Sequence, residues 1–139
     1  MVELKEKIFI ELQSIDTIIM ELQNIKAKHD KSMIELSGIG ALLMSFYSGV
    51  ENILKMILKL KKIQIPQTPS WHRDLLNSSA EKRIITEMTR QSLSEYMAFR
   101  HFFVHSYSFN LRESELAKLL YNLDDVYNQF KKDVESELK

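Results

Sequence analysis

An all-α fold, an antiparallel bundle of four main helices with one extra short helix, is predicted by three features of this sequence. Only three glycines and two prolines occur in 139 residues, while Leu, Ile, Lys, Glu and Met are abundant, so intrinsic propensity favours helix almost throughout. Apolar residues recur at three- and four-residue steps, the spacing that gathers side chains on one helix face. Hydrophobic residues make up 45% and charged residues 27%, a balance that suits a packed core and argues against intrinsic disorder.

The first helix is marked by Ile8, Leu12, Ile15, Ile19, Leu22 and Ile25. Lys28-His29-Asp30-Lys31 then breaks the apolar pattern. Ser32 with Glu35 forms a capping box, in which each side chain satisfies the other's free backbone N–H, so a second helix is expected from there. Its apolar positions, among them Leu36, Leu43, Phe46, Val50, Ile53, Leu54, Ile57 and Leu58, continue to about Leu60. All three glycines, Gly38, Gly40 and Gly49, fall inside this helix, where each costs roughly 1 kcal/mol relative to Ala; close backbone packing is the expected compensation.

Pro66 and Pro69 interrupt the stretch from Lys61 to Ser70, removing donors and pushing the residues before them out of helical conformation. A short helix is expected over Trp71 to Leu76. Ser78 with Glu81 and Ser92 with Glu95 read as two further capping boxes, the second starting a helix that carries Leu93, Tyr96, Met97, Phe99, Arg100, Phe103 and Val104. That helix is expected to end near His105 to Ser108. Leu116, Leu119, Leu120, Leu123, Val126, Tyr127, Phe130 and Val134 mark the terminal helix. The length suits a single domain over residues 1–139.

Several function classes are disfavoured by composition. Nineteen Lys and Arg balance nineteen Asp and Glu, so a polyanion must be caught by a local patch rather than by whole-molecule attraction. The absence of cysteine removes disulfides, thiolate metal sites and thiol nucleophiles. The N-terminus mixes charges at once and no apolar run looks long enough to span a bilayer, so a cytoplasmic location without membrane association is expected.

The chemistry concentrates in residues 99–109, Phe-Arg-His-Phe-Phe-Val-His-Ser-Tyr-Ser-Phe, where one guanidinium, two imidazoles and a phenol stand in an apolar stretch. Three readings are open. Arg100 and His105 are solvated cations favoured by a helix C-terminus; or His101 and His105, four apart, are metal ligands, although no His-Glu-x-x-His motif is present; or the stretch performs phosphate-transfer chemistry, with Arg neutralising charge on phosphorus and His moving protons near neutral pH. On an ideal helix Arg100 and His105 lie about 140° apart. One helix converges them poorly; either the long Arg side chain bends toward the His where the helix frays, or two copies of the helix face each other across a symmetric dimer, which the spacing makes attractive.

Arg100-His101-Phe102-Phe103-Val104-His105-Ser106-Tyr107 resembles the Arg-x-x-x-x-His-x-Tyr motif of HepT-like HEPN ribonuclease toxins. Two more segments resemble the same family: Ser45-Phe46-Tyr47-Ser48-Gly49-Val50-Glu51-Asn52-Ile53-Leu54-Lys55, and Trp71-His72-Arg73-Asp74-Leu75-Leu76. The resemblance runs from about Leu36 through Leu111. It implies a HEPN-type bundle, a homodimer, and metal-independent cleavage of RNA with no cofactor, Arg100 and His105 of both protomers lining the site. In that setting His105 assists proton transfer at the 2′-hydroxyl or the departing 5′-oxygen and Arg100 stabilises the pentacovalent phosphate, leaving cyclic phosphate and 5′-hydroxyl ends. DNA, lacking the 2′-hydroxyl, would resist.

The resemblance further implies a supporting role for Glu51, orienting Arg100, against the plainer reading of an exposed surface acid. It implies a partner, an MntA-like nucleotidyltransferase antitoxin that attaches AMP to Tyr107, placing charge and bulk where RNA phosphate would sit. His101 reads as a helix-surface residue. Trp71 and His72 read as fixing the proline connection against the bundle, with base stacking on Trp71 the lesser alternative. The competing functions are a noncatalytic HEPN domain that binds nucleotides or a partner protein, and a plain helical scaffold.

Overall fold

The computed structural model describes residues 2–105 and 111–139. Five helices follow one another: α1 (Val2–Lys26), α2 (Met33–Leu60), α3 (Trp71–Glu81), α4 (Glu87–His105) and α5 (Glu113–Glu137). No strand occurs among the described residues. The four long helices form the antiparallel bundle and α3 is the short extra helix.

α2 is the central element and touches every other helix. Its buried residues, from Leu36 and Leu43 through Phe46, Val50, Ile53, Leu54 and Leu58, face several neighbours rather than one, the pattern of a helix enclosed by others. By length and composition α2 passes as a membrane span, which corrects the expectation that no apolar run here is long enough. The same apolar residues serve as the bundle's centre. One core cluster joins side chains from all five helices. Phe46 is its hub, with Tyr96 and Tyr127 edge-on at centroid distances of 5.4 Å and 6.1 Å. The Tyr96 hydroxyl donates to the Leu119 carbonyl at 2.7 Å, so a buried polar tip is satisfied across α4 and α5.

Of the three capping boxes read from sequence, one forms. The Ser32 hydroxyl accepts from the Glu35 N–H at 3.1 Å and a Glu35 carboxylate oxygen accepts from the Ser32 N–H at 2.8 Å. Ser78 and Glu81 lie within α3, which runs five residues beyond Leu76, and Ser92 and Glu95 lie within α4. α4 instead starts after Thr86, whose hydroxyl accepts from the Thr89 N–H at 3.1 Å. Asp133 of α5 holds that cap, accepting from the Thr89 hydroxyl at 2.9 Å and from the Thr86 N–H at 3.3 Å. The cap is thus tertiary, not a property of the local sequence.

Two of the glycines are explained by close approach. A Cβ at Gly40 would stand 2.5 Å from Cε1 of Phe103, and one at Gly49 would stand 2.9 Å from the Ile15 side chain. Gly40 therefore lets the C-terminal end of α4 settle on α2, and Gly49 lets α1 do so. Gly38 faces open space, and nothing in the structure explains it. The helix ends, where glycine is usual, use other residues. Lys62 and Arg83 adopt φ of 58° and 61°, and the following N–H groups of Ile63 and Ile84 reach back to Leu58 and Ser79 carbonyls at 2.9 Å, the hydrogen-bond pattern of a Schellman motif.

Candidate active site

α4 carries the polar stretch on its last turns because its buried face is spent on Leu93, Tyr96 and Phe99. What faces outward is a strip along half-buried Met97 and exposed His101 and Val104, the last 53% exposed. With about 100° per residue, Arg100 and His105 fall on opposite flanks of that strip, about 140° apart. Within one chain they border the same open face without converging on a point.

That face is one wall of a cleft of about 660 Å³. α4 contributes Met97, Ala98, Arg100, His101, Val104 and His105; the opposite wall is Pro69, Ser70, His72 and Arg73 from the proline connection and the start of α3. No Asp or Glu lines it among the described residues, whereas two guanidinium groups and three imidazoles do. A chain with no net charge thereby has a local surface matched to a polyanion.

Arg100 is half-buried. Its Nε donates to the Ser48 hydroxyl of α2 at 3.1 Å, which fixes the base of the guanidinium while Nη1 and Nη2 have no hydrogen-bond partner among the described residues. His101 and His105 are exposed, their ring centroids 4.5 Å apart. No third His, Asp or Glu joins them in a metal-sized cluster among the described residues.

Glu51 does not bond Arg100. It is 3% exposed, and its Oε2 lies 2.7 Å from Nδ1 of His72. The reading of Glu51 as a surface acid is therefore excluded. His72 is held on its other side by Trp71, whose ring stacks on the imidazole at 3.5 Å and 30°, and Lys55 Nζ sits 4.0 Å from the Trp71 ring centroid, a cation–π contact. Trp71 packs against the core, consistent with fixing the proline connection. What the sequence did not disclose is that the neighbouring His72 faces the cleft and is paired with a carboxylate twenty-one positions earlier in the chain. The one available signal was an acid in the otherwise apolar run of α2, where an unpaired charge would be costly.

Beneath this network the Tyr47 hydroxyl is buried, with no hydrogen-bond partner among the described residues. Burial raises its pKa far above the usual phenol value, the Glu51 carboxylate pushes it further up, and the Arg100 guanidinium opposes both. The Glu51 and Arg100 charges thus both bear on the Tyr47 hydroxyl, in opposite directions. Tyr107 lies outside the described residues.

A family model described as HepT-like protein matches residues 38–138. The chain belongs to the HepT-like family. Its match takes in α4 and the whole Arg100 to Tyr107 stretch. Among solved structures, this HepT-like chain is similar to a tyrosine-to-alanine mutant of the toxin–antitoxin pair MntA–HepT, with a TM-score of 0.79 and 17% identity over 93% of this chain and 98% of that one. It is also similar to YutE of Bacillus subtilis, described as a cytosolic protein of unknown function, with a TM-score of 0.80 and 16% identity over 96% of this chain and 90% of that one. At such identities the likeness is one of fold. No curated protein matches the chain in sequence.

Proposed function

We propose that this HepT-like protein, as a single HEPN domain over residues 1–139, is a metal-independent endoribonuclease toxin that acts in the cytoplasm as a homodimer. The observation that carries the reading is the placement of Arg100 and His105 on the two flanks of the outward strip of α4, beside a cleft lined by two guanidinium groups and three imidazoles and, among the described residues, by no carboxylate. A second copy laid against that strip brings both flanks of each helix to one groove, which is the convergence a lone helix lacks.

In the groove the Nη atoms of Arg100, which have no partner among the described residues, bind the scissile phosphate and neutralise the charge that builds on its oxygens. The ribose 2′-oxygen attacks phosphorus, the bond to the 5′-oxygen breaks, and His105 serves the proton transfers. Products are a 2′,3′-cyclic phosphate and a 5′-hydroxyl, and DNA is not cut. Family membership and the fold likeness to the MntA–HepT pair support a nucleotidyltransferase antitoxin as partner, with Tyr107 as the residue that takes AMP.

The test is RNA cleavage in the presence of a chelator. Wild type is expected to cut, with Arg100→Ala and His105→Ala each slower by about a thousandfold, within the range for loss of charge stabilisation or proton transfer. Equal activity in all three rejects the site. Coexpression with an active cognate nucleotidyltransferase is expected to add the mass of AMP to the peptide containing Tyr107, and its persistent absence rejects the modification.

A further inference from the structure

Of the three imidazoles on the cleft, His72 alone is built in. Its Nδ1 faces the Glu51 carboxylate at 2.7 Å, that carboxylate is buried in α2, and the ring plane is fixed by Trp71. A carboxylate accepts only from N–H, so the neutral ring carries its proton on Nδ1 and presents a lone pair on Nε2. Nε2 has no hydrogen-bond partner among the described residues, and His72 lines the cleft opposite Arg100 and His105. The pair satisfies the buried Glu51, and it also fixes the tautomer and orientation of a histidine whose free nitrogen is on the cleft, the arrangement in which a carboxylate supports a general base.

We infer that His72 is a catalytic residue of the same reaction, the general base supplied within each protomer, with Glu51 as its positioning residue; this rests on the ribonuclease reading above. Nε2 of His72 takes the proton of the 2′-hydroxyl as the 2′-oxygen bonds to phosphorus. As the bond from phosphorus to the 5′-oxygen breaks, protonated His105 returns a proton to that oxygen. One proton is taken and one given, and no co-reactant is needed. The charged groups around His72 are Glu51 and Lys55 from α2, Arg73 and Asp74 from α3, and Arg100, His101 and His105 from α4.

The experiment compares RNA cleavage across pH for wild type, Arg100→Ala, His72→Asn and His72→Ala. Asn retains a side-chain N–H for Glu51 but cannot accept the proton. His72→Asn is expected to lose about a hundredfold in kcat with KM little changed, and to lose the acidic limb of the pH–rate profile. Added imidazole is expected to restore part of the His72→Ala rate and none of the Arg100→Ala rate. An acidic limb that persists in His72→Asn, or no recovery with imidazole in folded His72→Ala, overturns the role of His72 while leaving the ribonuclease reading intact. A wild type whose cleavage matches that of Arg100→Ala overturns both.

Discussion

The two walls of the cleft are held in place in different ways. On the α3 wall His72 is tied to a buried carboxylate and stacked on an indole, so its orientation is set by the core of the single chain. On the α4 wall His101 and His105 are exposed and, among the described residues, have only each other, and Arg100 is there tethered at Nε alone. The α3 side is thus fixed by the core of the chain, while the α4 side is left exposed. Rigidity and availability have been divided between the walls.

The difference is open to test by mutation. The largest expected effect is from Gly40→Val, which drives a branched side chain into Phe103 of the α4 wall and into Leu111 beside it. Overpacking of this kind should cost about 2–3 kcal/mol in chemical denaturation, and a neutral result would show that α4 can give way there. Next comes the contrast between histidines. His72→Ala strands the buried Glu51 carboxylate and should cost about 1–3 kcal/mol, whereas His101→Ala on the exposed wall should stay within about 0.5 kcal/mol; similar costs would erase the distinction between walls.

Tyr47→Phe removes a buried hydroxyl that has no partner among the described residues and should raise stability by about 1 kcal/mol. The same tyrosine should weaken the fold in alkali. Tyr47, Tyr96 and Tyr127 all have pKa values raised, chiefly by burial, so their contribution is full below the unfolded phenol value of about 10 and is lost as pH rises beyond it. Calorimetry should show a melting temperature that falls above that pH, less steeply in Tyr47→Phe; an identical slope would remove Tyr47 from the account. The smallest expected effect is at Arg83, where glycine relieves a left-handed backbone and should add about 0.5 kcal/mol, measurable as a small shift in denaturation midpoint.

Reading helices from the sequence succeeded where the cause is local. Ser32 and Glu35 are three apart and bond each other directly, so the start of α2 was visible. The same spacing misled at Ser92 and Glu95, because i,i+3 pairs also arise on the surface of a continuing helix, where Glu95 instead meets Lys118 at 3.1 Å. The true start of α4 depends on Asp133, forty-four positions beyond Thr89, and no local pattern reports it. The positive-φ ends at Lys62 and Arg83 escaped notice for a similar reason: the chain keeps its glycines inside α2.

The chemistry divides along the same line. The sequence by itself determined that the chain is helical, which faces of its helices are apolar, and that Arg100, His105 and Tyr107 occur at a family-specific spacing, since these follow from periodicity and order along the chain. Only the tertiary structure decided that Glu51 belongs to His72 rather than to Arg100, that Ser48 takes the Arg100 Nε, and that an apolar helix able to span a bilayer by length is here the centre of a bundle. Hydrogen bonds and burial between distant segments depend on how helices pack, and packing fixes distances of a few ångströms that spacing along one chain does not encode.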